Sequence, residues 1–496
     1  MSPFASVSDG VRAIGHRAKR WLYIVHRWIG IASCLLFAMW FLSGLVMIYV
    51  PFPALDRSER LAGLPPIDWR LVHTPPAAAL RAAVLDAPPR ATALEMRGGA
   101  PVWRITPRSG EEVSISAVSG QRLGAANAAE ARRTAEQFGH AGVASLTSIM
   151  RDQWTVPGSF DRHRPLWKAS LAGAGGRVLY VSSTTGAVVL DTNLHERFWN
   201  WLGSVPHWLY PTVLRQDNAL WRQVVMWVSG PCIVAAVTGF WIGVLRTRIG
   251  RRPFKGGRVT PYRGWMEWHH IAGLVGGLFL IAWIFSGWLS VDPGRLFASG
   301  GIDPAARNAY EDVGAAPTID LRGLARVAAG TKQVAIRWLA GRPILVADGT
   351  TSTAVLDATT LQPFHPDETR IAAAASHLIP GTAILSVDRL TLPDAYWYEV
   401  GARPLLPVLR VRFDDPARTW VHVDPATGAI LGDIDARGRL YRWLFDLLHK
   451  WDLNLLTLHR PVWDGVLWIL SLLGLVISIS GIRIGWMRLM RPSSRR

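Results

Sequence analysis

W-L-F-D-L-L-H (Trp443–His449), K-W-D-L-N-L-L-T-L-H-R-P-V-W (Lys450–Trp463) and, after an apolar run, S-G-I-R-I-G-W-M-R (Ser480–Arg488) form a stretch whose punctuation this chain contains twice. Sliding back 242 positions puts Trp201 over Trp443, His207 over His449 and Trp221 over Trp463. Further on, Ser229, Gly239, Gly243 and Arg246 match Ser471, Gly481, Gly485 and Arg488 without a gap. A period of half the chain describes a duplicated unit and not a solenoid. The other end of the unit repeats at an offset of 243: His26, Gly30, Trp40, Ser43 and Gly44 correspond to His269, Gly273, Trp283, Ser286 and Gly287.

Half of the 496 residues are apolar and the mean hydropathy is positive, which points to a membrane protein. Four runs, at 21–50, 220–245, 265–291 and 462–486, exceed the roughly 20 apolar residues that cross a ~30 Å hydrocarbon core. The net charge of +18 is concentrated beside these runs. Arg12, Arg17, Lys19 and Arg20 precede the first. Arg246, Arg248, Arg251, Arg252, Lys255, Arg258 and Arg263 join the second to the third, and Arg488, Arg491, Arg495 and Arg496 follow the last. The positive-inside rule then places both termini in the cytoplasm, and the basic residues become orientation signals and lipid anchors, not a nucleic-acid surface. The first run reads as an uncleaved anchor. Cys34 and Cys232 lie in apolar runs with no C-x-x-C spacing, so a disulfide framework, zinc, iron–sulfur and covalent haem attachment are not expected.

The expected order is a tail (1–20), a first span (21–50), an outer segment (51–205), an approach and second span (206–246) and a basic loop (247–264). A third span (265–291), a second outer segment (292–440), an approach and fourth span (441–487) and a tail (488–496) complete it. The fold class is therefore membrane α-helical, with four spans from a duplicated two-helix unit and two outer α+β domains. In the outer segments V-W-R-I-T and E-V-S-I-S-A-V alternate as strands, 128–138 and 367–377 predict helices, and 177–190 predicts a hairpin turning at Thr185-Gly186, echoed at Thr427-Gly428.

Of 14 histidines, four fall into two repeat-related pairs at the membrane ends: His26 with His269, and His207 with His449. Histidine inside a span is costly and usually pairs within the bundle. Steps of 4, 7, 11 and 18 put Gly30, Ser33, Phe37 and Gly44 on the face of His26, and Gly273, Gly276, Leu280 and Gly287 on that of His269. Small residues there permit close helix packing; equally, they leave a slot for a flat macrocycle beside an imidazole ligand. Two units packed about a twofold axis along the membrane normal would set equivalent residues opposite one another. The expectation is two non-covalent b-type haems on His26, His269, His207 and His449, flanked by Gly30, Gly273, Gly44 and Gly287. His459, whose counterpart is Asp217, and His270, whose counterpart is Arg27, stand as runner-up ligands. The remaining histidines, His422 among them, are expected on the surface. The cytoplasmic segments carry no G-x-G-x-x-G or P-loop, so electrons would come from a separate cytoplasmic reductase or a quinol.

H-R-W-I-G in the first span, H-H-I-A-G-L in the third, the W-x5-H approach segments and R-T-W-V-H-V-D-P-A-T-G before the fourth resemble the PepSY-associated transmembrane family. The resemblance implies PepSY-like outer domains, a bacterial inner-membrane location, a link to iron uptake and, for some members, di-haem reduction of ferric siderophores from the periplasmic side. It assigns haem ligation to His26 and His269, and to His207 and His449. Relatives with a fused flavin reductase module exist; none is read here. The reaction expected is haem-dependent reduction of a ferric siderophore or other ferric chelate. The competing reading is non-enzymatic: a membrane-anchored PepSY module that binds or restrains a periplasmic partner.

Overall fold

The computed structural model of the chain describes residues 3–108, 111–173, 175–249, 252–400 and 404–490, with side chains from His16 onward. Of the basic residues above, Arg251, Arg491, Arg495, Arg496 and the side chain of Arg12 lie outside that description.

Four helices are long and apolar enough to cross a membrane: His16–Met47, which is part of a helix starting at Pro3, Asn218–Arg246, Trp265–Leu289 and Arg460–Leu489. They are spans one to four, within a few residues of the expected bounds except that the first helix begins well before Trp21. Local chemistry sets their ends. The Asp217 side chain caps span two by accepting from the Leu220 amide at 2.9 Å, and Pro461 opens span four, where a missing N–H costs nothing. Span one packs on spans two and four, and span three packs on the same two, so spans one and three face each other diagonally across the bundle. Its middle is filled by Phe37, Phe41, Cys232, Ala236, Leu280, Ile284 and Ile477. Gly474 lets the Phe41 ring close onto span four, the packing role small residues serve in spans.

Outside the bundle the described strands form three antiparallel sheets. The first segment supplies β1 (Ala91–Arg97), β2 (Ala100–Thr106), β3 (Val113–Ser116), β4 (Arg122–Leu123), β5 (Val143–Ile149), β6 (Leu166–Leu171), β7 (Val178–Ser182) and β8 (Val188–Thr192). The second supplies β9 (Gln333–Leu339), β10 (Arg342–Asp348), β11 (Thr353–Asp357), β12 (Ile384–Leu390), β13 (Val408–Phe413), β14 (Trp420–Val423) and β15 (Ile430–Ile434). Adding 242 to the bounds of β1, β2, β6 and β8 gives those of β9, β10, β13 and β15. The expected helices appear as Ala128–Gly139 and Glu368–Ala375, and the expected turns carry Gly186 and Gly428 at φ +69° and +68°, which glycine adopts without strain.

The two segments do not stand as separate α+β domains. β5 to β8 and β12 to β15 form a four-stranded sheet each, but the other strands join one seven-stranded sheet in the order β11-β10-β9-β1-β2-β3-β4. At its centre β1 pairs with β9, with Ala93 opposite Ala335, its own counterpart at 242. One core, containing Leu94, Trp103, Ile115, Val334, Leu345 and Leu356, therefore draws on both segments. Strand alternation is a local signal, whereas pairing between strands 240 residues apart is decided by which apolar faces meet, which is why the sequence did not reveal the shared sheet.

Two polar clusters are buried in the sheets. The Glu95 carboxylate, buried, pairs with Arg60 and with buried Arg104, and accepts from Gln333 Nε2 at 3.0 Å across the β1–β9 seam. Burial pushes its pKa up, but Arg104 and Arg60 together hold it below the usual carboxylate range. His422, expected at the surface, is 3 % exposed. Its ring stacks on Trp397 with centroids 4.6 Å apart, and Arg410 Nε donates to its Nε2 at 2.9 Å.

Glu95→Ala removes the buried partner of Arg104, leaving as its acidic partner only the more exposed Glu112 at 3.2 Å, and is expected to cost up to about 3–5 kcal/mol, read as a lowered denaturation midpoint of the full-length protein. Burial and the adjacent Arg410 guanidinium push the His422 pKa down to about 4 from 6.5. The unfolded chain binds this proton first, so stability is lost as pH falls from 6.5 toward 4. His422→Gln is expected to narrow the difference between melting temperatures at pH 7 and pH 5.

Candidate functional site

The spans bring the four histidines together as two pairs. His26 on span one meets His269 on span three across the bundle, with ring centroids 6.3 Å apart. His207, which ends the short helix Ser204–His207, meets His449 of Leu448–Lys450 with centroids 6.0 Å apart. Ring edges place the pairs by depth: His207 lies against Gly44 of span one and His449 against Gly287 of span three. Each of these glycines lies 18 residues beyond its span's own histidine, about 27 Å along a helix. One pair thus sits toward the basic loop and the other toward the sheets.

Each imidazole is tethered through Nδ1. His26 Nδ1 lies 3.0 Å from the Ala235 carbonyl of span two, and His269 Nδ1 lies 3.0 Å from the Ile477 carbonyl of span four. A carbonyl only accepts, so Nδ1 carries the hydrogen. His207 Nδ1 lies 3.0 Å from Ser43 Oγ, and His449 Nδ1 lies 3.0 Å from Ser286 Oγ. Each serine hydroxyl donates to a backbone carbonyl, Ser43 to Trp40 at 3.2 Å and Ser286 to Ala282 at 2.7 Å. Its oxygen is then left to accept from the ring. All four rings are held in the tautomer with a lone pair on Nε2, and none of those Nε2 atoms has a hydrogen-bond partner among the described residues. An Nδ1–H tether that fixes tautomer and ring orientation is the usual support of a metal-bound histidine.

The backbone of the second pair is pinned as well. Trp40 Nε1 donates to the His207 carbonyl at 3.0 Å and Trp283 Nε1 to the His449 carbonyl at 2.9 Å. These indoles hold the peptide of a candidate ligand, a contact the sequence did not single out. On the His449 side a single π-helical turn, Arg442–Leu447, precedes the histidine, and the Phe445 ring stacks on it at 5.3 Å. Buried Arg442 pairs with fully buried Asp452 at 2.9 Å, and Tyr398 bonds the same carboxylate. On the His207 side the corresponding bend is held without charge: Gln153 Nε2 donates to the Tyr210 carbonyl at 2.7 Å and Gln153 Oε1 accepts from the Thr212 amide at 3.0 Å.

The glycines divide differently from the expected helical face. Gly44 and Gly287 serve the pair toward the sheets, with added Cβ atoms 3.3 and 3.4 Å from the His207 and His449 rings. Gly30 lies against its own span's His26 at 3.9 Å, and Gly273 faces open space. The residues that make room for the first pair are Gly239, where a Cβ would come within 2.5 Å of His26 Cε1, and Gly481, 3.2 Å from His269 Cε1. Both stood in the repeat, and only the partner helix reveals what they face. Gly276 packs on Leu473 and Ile477, the ordinary helix-packing role.

Neither runner-up joins a pair. His459 is exposed and its Nδ1 lies 3.1 Å from the Leu455 carbonyl of its own turn. His270 is buried with both nitrogens engaged, Nδ1 with Thr260 Oγ1 at 2.8 Å and Nε2 with the Gly243 carbonyl at 3.0 Å, so it clamps the basic loop to span two.

Two imidazoles bound in line to one metal, through bonds of about 2 Å each, set their ring centres about 6 Å apart, and both pairs have this separation. Among the described residues no group of three or more His, Cys, Asp or Glu is placed to hold a bare metal ion. Two facing imidazoles suit a metal whose remaining positions are filled by a planar macrocycle, and the glycines beside the rings leave room for one.

The family description "PepSY-associated TM region" matches residues 23–340, which contain span one from Tyr23 onward, spans two and three, and His26, His207 and His269. No curated protein matches the chain.

Gly239→Ala forces span two off the His26 ring and is expected to cost about 1–3 kcal/mol, whereas Gly30→Ala meets only ordinary contact and should stay within about 0.5 kcal/mol of the wild type. Thermal unfolding of the detergent-solubilised protein separates the two.

Proposed function

The chain belongs to the PepSY-associated transmembrane family, and we propose that it is an inner-membrane ferric-chelate reductase holding two non-covalent b-type haems, on His26 with His269 and on His207 with His449. When bound, these groups supply one-electron transfer across the membrane, from a separate cytoplasmic reductase or a quinol to ferric iron in a siderophore or other chelate on the periplasmic side. The observation that carries this reading is the set of four Nδ1-tethered imidazoles, arranged as two facing pairs at metal-binding separation.

The chain's own residues do the positioning. Ala235, Ile477, Ser43 and Ser286 hold the proton on Nδ1 and keep Nε2 a ligand. Gly239, Gly481, Gly44 and Gly287 keep carbon atoms away from the ring edges. Trp40 and Trp283 fix the peptides of His207 and His449, so that the ligands toward the periplasm do not depend on loop order alone. Orientation follows from Arg246, Arg248, Arg252, Lys255, Arg258 and Arg263, which fill the loop between spans two and three and belong on the cytoplasmic side. Both termini would then be cytoplasmic and the sheets periplasmic. A duplicated unit accounts for both pairs at once, because equivalents 242 or 243 residues apart meet in the bundle as Ala93 meets Ala335 in the sheet.

The test is a reduced-minus-oxidised absorption spectrum with haem counted per chain. Wild type should hold two b-type haems, His269→Ala and His449→Ala one each, and His459→Ala two. Absence of haem from wild type expressed with haem supplementation would overturn the reading and leave the membrane-anchored binding module.

A further inference from the structure

The seam between β1 and β9 has two flanks, related by the exchange of each residue for its counterpart at 242, and they differ in charge. On one flank stands Glu95, bonded to Arg60 and Arg104, and Arg104 Nη1 reaches the Thr185 carbonyl at 2.8 Å, closing the space between the seam and the β7–β8 turn. On the other flank, the counterpart of Glu95 is Arg337, that of Arg104 is Val346 and that of Thr185 is Thr427. No ion cluster closes this flank among the described residues, and a cleft of about 680 Å³ runs from β1 and β9 to the β14–β15 turn. Four arginines line it, Arg81, Arg90, Arg307 and Arg337, against two acids, Asp86 and Glu311. No side-chain hydrogen bond or ion pair of these four arginines is recorded among the described residues, in contrast to Arg60, Arg97 and Arg104 opposite. Burial raises the pKa of the partly buried Glu311 carboxyl in the cleft wall, and Arg108, Arg307, Arg337 and Arg90 oppose that rise. Trp338 and Leu80 give the wall an apolar side. No lining residue belongs to a span or to the segments that carry His207 and His449.

We propose that this cleft binds a small polyanion bearing carboxylate or phosphate groups, an external anion supplying the negative charge that Glu95 supplies on the opposite flank. Planar guanidinium groups suit either oxyanion through paired N–H bonds, and the cleft has room for a multidentate ligand. The site is independent of the paired histidines.

Equilibrium dialysis of the full-length protein in neutral detergent at low ionic strength, with citrate and with inorganic pyrophosphate as separate probes, tests this. Saturable binding of one molecule per chain is expected. Arg337→Glu, which restores the residue of the opposite flank, and Arg307→Ala should each weaken it at least about tenfold. The absorption spectrum and melting temperature should be unchanged. Citrate binding alone would identify a carboxylate site and pyrophosphate binding alone a phosphate site. No saturable binding of either probe up to about 10 mM, or equal affinity in wild type and both variants, overturns the proposal. Because haem content is read on the same samples, failure here is distinguishable from failure of the histidine reading.

Discussion

The constraint on which the architecture depends is that residues 242 or 243 apart meet one another. In the sheet Ala93 stands opposite Ala335; in the bundle His26 faces His269 and His207 faces His449. All three contacts join residues at the same offset, 242 or 243. Spans one and three must lie diagonally, because each carries one histidine of the same pair. Spans two and four are then left to supply the carbonyls, Ala235 and Ile477, that tether those rings. Such self-complementary pairing is the geometry of an isologous dimer enclosed within one chain.

Where the halves diverge, position and task are kept while the chemistry changes. Asp152, Lys168 and Tyr180 in the first half correspond to Asp394, Arg410 and His422 in the second. Each trio ties a loop carboxylate to a strand pair: Lys168 and Tyr180 reach Asp152 at 2.9 and 2.7 Å, and Arg410 reaches both Asp394 and His422 at 2.9 Å. The bend beyond each candidate ligand is held by neutral hydrogen bonds from Gln153 in one half and by the buried Arg442–Asp452 pair in the other. Arg442 and Asp452 both belong to the approach segment, and Tyr398 on Asp452 together with Arg442 Nε donating to the Ala395 carbonyl at 2.7 Å join that segment to the second outer segment. The largest divergence is the exchange of Glu95 for Arg337, which turns a closed ion cluster into an open cationic cleft.

Much of the candidate site was legible because its signals are periodic. The four histidines and their serine, tryptophan and glycine neighbours recur at a fixed offset, and the offset predicted which would face which. The role of each neighbour was not legible. Gly44 reads as belonging to His26, on whose helical face it lies, yet it serves His207, because helix phase says nothing about what a partner segment places at that height. Trp40 and Trp283 recur at the offset, but which carbonyl the N–H of each is committed to is set by the partner segment. His422 reads as a surface histidine because no histidine stands at its repeat position, whereas Trp397 and Arg410 bury it.

The sequence by itself determined the number of spans, the recurrence of residues at a fixed offset and which four histidines would meet, since hydropathy and repetition are properties of the chain read in order. Only the tertiary structure decided that the two soluble segments share a seven-stranded sheet, that span two and span four glycines make room for the His26 and His269 rings, and that each imidazole is locked through Nδ1. Those outcomes depend on contacts between residues as much as 240 positions apart. Packing of apolar faces and satisfaction of buried polar groups select them, and no local pattern encodes either.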